Sequence, residues 1–333
     1  MKHIYTFSPL LLLLAFAVVA CSSNKKATVM ESDATDVKRI VNVPQFDADS
    51  AYSYVKAQVD FGPRVPNSPA HKACGDYLAQ ALERFGAKVY NQYADLVAYD
   101  GKTLKARNII GAFKPEAKKR IVIFSHWDSR PWADQDPDKK NRYTPILGAN
   151  DGASGVGVML EIARNLQQQP AELGVDLIFL DAEDYGAHSE YKGAHKEEFW
   201  CLGSQYWGRH PHVQGYNARF GILLDMVGGK DAVYRYEYFS EQYAHSVNRK
   251  VWKAADRLGY GQYFVKEEGN AATDDHLFVN RYARIPTIDI IPYSETHDFF
   301  EYWHTVKDDM DAIDRNTMKA VGQTVMEVIY TEH

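Results

Sequence analysis

Three stretches of this 333-residue chain are apolar almost without interruption: IVIF (121–124), VDLIFL (175–180) and GILL (221–224). A strand wetted on one face alternates apolar and polar residues. One that is apolar throughout must be covered on both faces. RNIIGAF (107–113) and IPTIDIIP (285–292) read as further strands. Between them lie segments of helical period. One runs to about Asp60 from a cap at Asp49. Another is opened by Ser68-Pro69 and closed by Gly86, as a cap, a first-turn proline and a terminal glycine should be. ASGVGVMLEIARNLQ (153–167), residues 240–258 and residues 308–331 supply three more. Such alternation predicts an α/β fold, a three-layer sandwich with a mixed, mainly parallel central sheet flanked by helices. No second boundary follows Phe46, so residues 45–333 read as one catalytic domain.

In sheets of this kind ligands sit beyond the carboxyl ends of the strands, and there the chain crowds its acids and histidines. RIVIFS leads into His126 and Asp128; a polar loop (129–149) delivers Asp151 to the start of a helix. VDLIFLDA leads into Glu183 and Asp184, GILL into Asp225, and a late EYWHT carries Trp303 and His304. Singly, a strand-end aspartate caps a helix or forms a turn, and a loop histidine is solvated. Five such segments converging on one edge form instead the pattern of a metal site built from His nitrogen and carboxylate oxygen. Asp181, in the same acidic run, is expected to be structural. GASGVG (152–157) lacks the glycine order of a dinucleotide loop, so its small residues are expected to serve close helix packing. Neither a Gly-x-Ser-x-Gly nor a catalytic-cysteine pattern is present.

His-x-Asp after a strand, Asp in NDGASG, Glu-Asp after the next strand, Asp in LLDMVG and a late His together resemble the zinc-dependent aminopeptidase superfamily. Trp303-His304, Asp274-Asp275-His276 and LLDMVG further resemble the animal-type glutaminyl-peptide cyclotransferases within it. The resemblance spans about residues 45–333. It implies one zinc per chain on Asp151, Asp184 and His304, with Glu183 as acid/base and Asp225 and Asp274 as acidic partners. Trp303 would lie against the substrate, and Trp200 is a candidate pocket residue from the aromatic-rich segment 185–207. The substrates would be peptides or proteins with N-terminal glutamine, closed to pyroglutamate with loss of ammonia. Departures are Asp184 where the animal enzymes have a second Glu, Ser125 in place of a cysteine, and Thr273 in place of Gln. The nearest rival is a two-zinc aminopeptidase ligated by His126, Asp151, Asp184, Asp225 and His304, with Glu183 activating water. His126 is therefore a second-metal or structural residue. A non-catalytic peptide-binding lipoprotein is a third reading, disfavoured by the intact Glu183 and ligand set.

The first twenty residues stand apart from the fold. Lys2 and His3 precede LLLLLAFAVVA (10–20), too short to span a bilayer stably and ending directly before Cys21. This is similar to a bacterial lipoprotein signal: residues 1–20 removed, Cys21 lipidated, and residues 21–44 a polar tether. Ser22 favours the outer membrane, on the periplasmic side. Of the three cysteines only Cys74 and Cys201 then remain, and the sequence leaves their pairing open. A net charge of −6 argues against nucleic acid, and a monomer is expected.

Overall fold

The computed structural model describes residues 41–293 and 299–333. The expected signal peptide, Cys21 and most of the tether lie outside them. Val41–His333 form one compact unit. In chain order the elements are α1 (Ala48–Val59), α2 (Pro69–Arg84), β1 (Lys88–Val97), β2 (Thr103–Phe113), β3 (Arg120–His126), α3 (Ala153–Gln168) and β4 (Gly174–Leu180). They continue with α4 (Leu202–Arg209), β5 (Gly221–Leu224), β6 (Tyr234–Tyr236), α5 (Tyr238–Leu258), β7 (Phe264–Glu268), α6 (Asp275–Phe278), β8 (Thr287–Ile290) and α7 (Arg315–Thr331). The main sheet has the order β1-β2-β4-β3-β5-β8; β6 and β7 pair separately. β4, β3, β5 and β8 are mutually parallel, whereas β2 joins β4, and β1 joins β2, antiparallel. The sandwich is thus mixed and mainly parallel.

Burial on both faces explains the continuous apolar runs. β3 sends Ile121 and Ile123 into a core shared with α1, α2, α3, α5 and α7, and Val122 and Phe124 into a second core with Trp207 of α4. β4 divides likewise, with Val175, Leu177 and Phe179 on one side and Ile178 and Leu180 on the other. Parallel register sets the strand ends level: His126 pairs with Leu180, and the Asp225 N–H donates to the Ile290 carbonyl (3.2 Å). The helix expected from GASGVG packs onto these ends. A Cβ on Gly155 would lie 2.3 Å from Ser125 Oγ and 2.4 Å from the Leu224 carbonyl, so only glycine lets α3 approach this closely.

Several expected boundaries shift for local reasons. Asp47, not Asp49, caps α1, its carboxylate accepting from the Asp49 and Ser50 amides. α7 begins at Arg315 rather than near residue 308, because Asp314 caps it and Asp308 is drawn into the site. The edge strand β1 was not expected: KVYNQYADLV is half-exposed, and Asn91, Gln92 and Asp95 break up its apolar residues. No helix among the described residues is long and apolar enough to cross a membrane.

Candidate active site

Asp151, Glu183, Asp184, Trp200, Asp225, Asp274, Trp303 and His304 all line one cavity of about 190 Å³ at the carboxyl end of the sheet. Met226, Ala272, Thr273, Ile291 and Phe299 complete its wall. The chain turns sharply to present these groups. Ala182, Met226 and His304 all have positive φ (52°, 50° and 54°), in the left-handed region that side chains disfavour. Two aspartates that the motif reading left without a role hold the loops by backbone hydrogen bonds. Asp128 accepts from the Glu183 and Asp184 amides (3.1 and 3.2 Å), and Asp308 from those of Asn150 and Asp151 (2.7 and 3.0 Å).

His304 Nε2 lies 3.1 Å from Asp184 Oδ1 and 3.5 Å from Asp151 Oδ2. Its Nδ1 faces Asp134 at 3.5 Å, leaving Nε2 as the atom presented to a ligand. Asp134 is gripped by the Arg130 guanidinium through two 2.8 Å bonds and accepts from the Ser189 amide. Against the cost of burial, Arg130 and His304 hold its carboxyl far below the usual range. Arg130 also donates to the Asp184 carbonyl (3.0 Å) and sits 4.7 Å from the Trp200 ring. Neither Arg130 nor Asp134 was singled out in the sequence, because both lie in a polar loop whose charges look solvated.

A bound cation fits these residues. Asp151 Oδ2 and Asp184 Oδ2 are buried without any hydrogen-bond partner, and two ionised carboxylates side by side in a dry pocket need a positive charge between them. One donor atom each from Asp151, Asp184 and His304 comes within 4.8 Å of the others. His126, Asp151 and Asp225 form a second such set sharing Asp151. In that second set His126 Nε2 lies 3.0 Å from Asp151 Oδ1 and 3.2 Å from Asp225 Oδ1, so the imidazole bridges the two carboxylates.

Glu183 and Asp274 are the acids of the cavity outside both sets; Glu183 follows β4 directly. Burial raises its carboxyl well above the usual range; His126 opposes the rise, and Asp184, Asp274 and Asp275 add to it. Burial likewise lifts Asp225 to about 7, despite its bond to His126. Asp181 faces away, its carboxylate held by His71 (2.9 Å) and by the Arg107 and Ala182 amides, as its expected structural part requires.

Trp303 stacks on His304 with centroids 3.7 Å apart, and Trp200 lies parallel to the same imidazole at 6.1 Å. Trp200 reaches the cavity across Gly186, where any Cβ would sit 2.1 Å from the indole. The rest of segment 185–207 does not line the pocket. Tyr191 and Phe199 cluster with Tyr99, Tyr185 packs on Trp132, and Trp207 fills the core against Phe124. Cys74 and Cys201 are separate buried thiols, and Cys201 Sγ donates to Glu183 Oε1 (3.2 Å).

A three-layer α/β sandwich whose strand ends gather such donor sets beside a buried glutamate defines a class. The chain belongs to peptidase family M28, which it matches over residues 108–329. Within that family it is similar to glutaminyl cyclases. It shares 69% identity and a TM-score of 0.87 with the crystal structure of Bacteroides thetaiotaomicron glutaminyl cyclase bound to N-acetylhistamine, over 88% of this chain and 100% of that one. It is 26% identical over 284 residues to the glutaminyl-peptide cyclotransferase of Drosophila melanogaster, covering 77% of this chain and 73% of that one. It is also 24% identical over 323 residues to aminopeptidase YwaD of Bacillus subtilis. That match takes in 93% of this chain, which spans only 63% of the aminopeptidase's length.

Proposed function

We propose that this protein is a glutaminyl-peptide cyclotransferase that closes the N-terminal glutamine of peptides and proteins to pyroglutamate. The α-amine nitrogen attacks the side-chain amide carbon, the new C–N bond closes a five-membered ring, and the old C–N bond breaks to release ammonia. What carries this function is the pocket itself. Its volume of about 190 Å³ suits a single side chain, between the Trp200 and Trp303 indoles and the Glu183, Asp225 and Asp274 carboxyls.

Glu183 takes the proton from the attacking amine and hands it to the departing nitrogen, a role worth about 10²–10⁴-fold. Its raised proton affinity suits both halves of that exchange. The indoles fold the glutamine side chain toward its own amine, supplying the orientation that an intramolecular attack needs. Asp225 and Asp274 accept hydrogen bonds around the reacting amide. Asp151, Asp184 and His304 would hold one zinc ion, since their oxygen and nitrogen donors suit that metal. When bound, zinc supplies Lewis acidity to the amide oxygen.

The two-zinc aminopeptidase is the weaker reading. It draws on the second donor set, whose His126 faces Asp151 and Asp225 much as His304 faces Asp184 and Asp151, so the small indole-walled cavity rather than the ligands favours the cyclase. The deciding experiment is mass spectrometry of a Gln-initiated dipeptide incubated with residues 22–333. Loss of one ammonia with the peptide bond intact is the expected outcome; release of free glutamine would establish the peptidase. Metal analysis should find one zinc per chain rather than two. From the signal-like N-terminus we further propose export as a lipoprotein acylated at Cys21, on the periplasmic side of the outer membrane. Labelling with a radioactive fatty acid, abolished by Cys21→Ser, is the expected result.

A further inference from the structure

Cys201 and Leu202 brace the turn that carries Glu183. The Cys201 amide donates to the Glu183 carbonyl (2.9 Å), and the Leu202 amide to the Ala182 carbonyl (3.0 Å). Cys201 itself is fully buried and has a φ of 57°, a conformation for which glycine is the easy choice. It stands at the N-cap of α4, yet its side chain makes no capping bond. The thiol points instead at Glu183 Oε1, 3.2 Å away, and comes within 4.8 Å of a carboxylate oxygen of Asp274 as well. Burial, reinforced by Glu183 and the neighbouring aspartates, pushes the thiol well above its usual pKa, so it stays protonated and has a proton to donate. A thiol is a weak donor. It can fix one carboxylate oxygen without quenching the basicity of the other.

We propose that Cys201 is a positioning residue for the proposed cyclisation: its S–H holds Glu183 Oε1 and leaves Oε2, 4.0 Å from His126 Nδ1, free to exchange the proton with substrate. The kinetic part of this inference rests on the cyclotransferase reading; the hydrogen bond does not.

The test uses zinc-loaded protein comprising residues 22–333, in which Cys74 and Cys201 are the only thiols. Cys201→Ala should lower kcat on a Gln-initiated dipeptide about fivefold, as loss of one hydrogen bond predicts, with KM unchanged. Cys201→Ser, which restores a donor, should recover most of it. A filler thiol in the core would instead leave kcat intact in both variants, and that result would overturn the proposal. Should Cys201→Ala fail to fold, infrared spectroscopy of the S–H stretch decides independently of activity. Cys74→Ser isolates the Cys201 band, and adding Glu183→Gln should shift it to higher frequency by weakening the acceptor. A band that does not move sinks the inference even if the protein proves to be a cyclase.

Discussion

Glu183 and Asp184 are adjacent in sequence yet face different tasks, and the division is made by their neighbours. Asp184 turns to His304 and Arg130, whereas Glu183 turns to Cys201 and the acids of the cavity. Glu183→Gln should therefore abolish turnover, by about 10²-fold or more, while metal content measured by atomic emission stays at the parent level. His304→Ala should lose both. Asp134 tests how the histidine is held, since it is itself fixed by Arg130 and the Ser189 amide and meets His304 at Nδ1 rather than at the Nε2 that faces Asp151 and Asp184. Asp134→Asn keeps the shape but removes the charge. It is expected to weaken zinc affinity by about 10–100-fold, read by competition with a chelator. His126 and Asp225 were legible in the sequence as members of the constellation, and Asp274 through the family resemblance. Asp134 and Cys201 were not, because nothing in a polar loop or an aromatic segment marks which charge or thiol will end up beneath the site.

At the scale of elements, the strands place the site and buried acids pin the turns that follow them. Asp128 satisfies two buried amides in the Glu183-Asp184 turn, so Asp128→Ala should leave both unpaired. A loss of about 2–4 kcal/mol in urea unfolding is expected, with turnover falling in parallel. Glu237 plays the same part for α5. It is fully buried and accepts from the Phe239, Ser240 and Ala272 amides, from Ser240 Oγ and from His276. Burial alone would raise its carboxyl, but His276 and the amides bring it down to about 2 from the ordinary 4.5. A depressed carboxylate stabilises the fold above its unfolded pKa and stops doing so as pH falls through its folded one. Glu237 should thus contribute about 3 kcal/mol above pH ~4.5, lost between there and pH ~2. Glu237→Gln should be less stable at pH 6 and flatten that part of the stability–pH curve. Element type was readable wherever an apolar run or a cap announced it. Boundaries moved where a polar residue had a distant partner, as Asp308 does across the site.

For the whole molecule, the unpartnered oxygens of Asp151 and Asp184 make metal binding and stability one measurement. Chelation should lower the melting temperature, and zinc at about 100 times its Kd should restore about 2.7 kcal/mol. No change on chelation would show that the donor set does not hold a cation in the folded protein. The layered α/β architecture and the gathering of acids and histidines at one sheet edge were determined by the sequence alone, because periodicity and strand ends are local and their burial follows from hydrophobicity. The tertiary structure alone decided which of those acids joins a donor set, which braces a backbone turn and which is set against a thiol. Each such role depends on a partner far away in the chain: Asp308 on Asn150, Asp134 on His304, Cys201 on Glu183. A carboxylate's chemistry is fixed by the charges and donors within a few ångströms of it, and only folding brings those together.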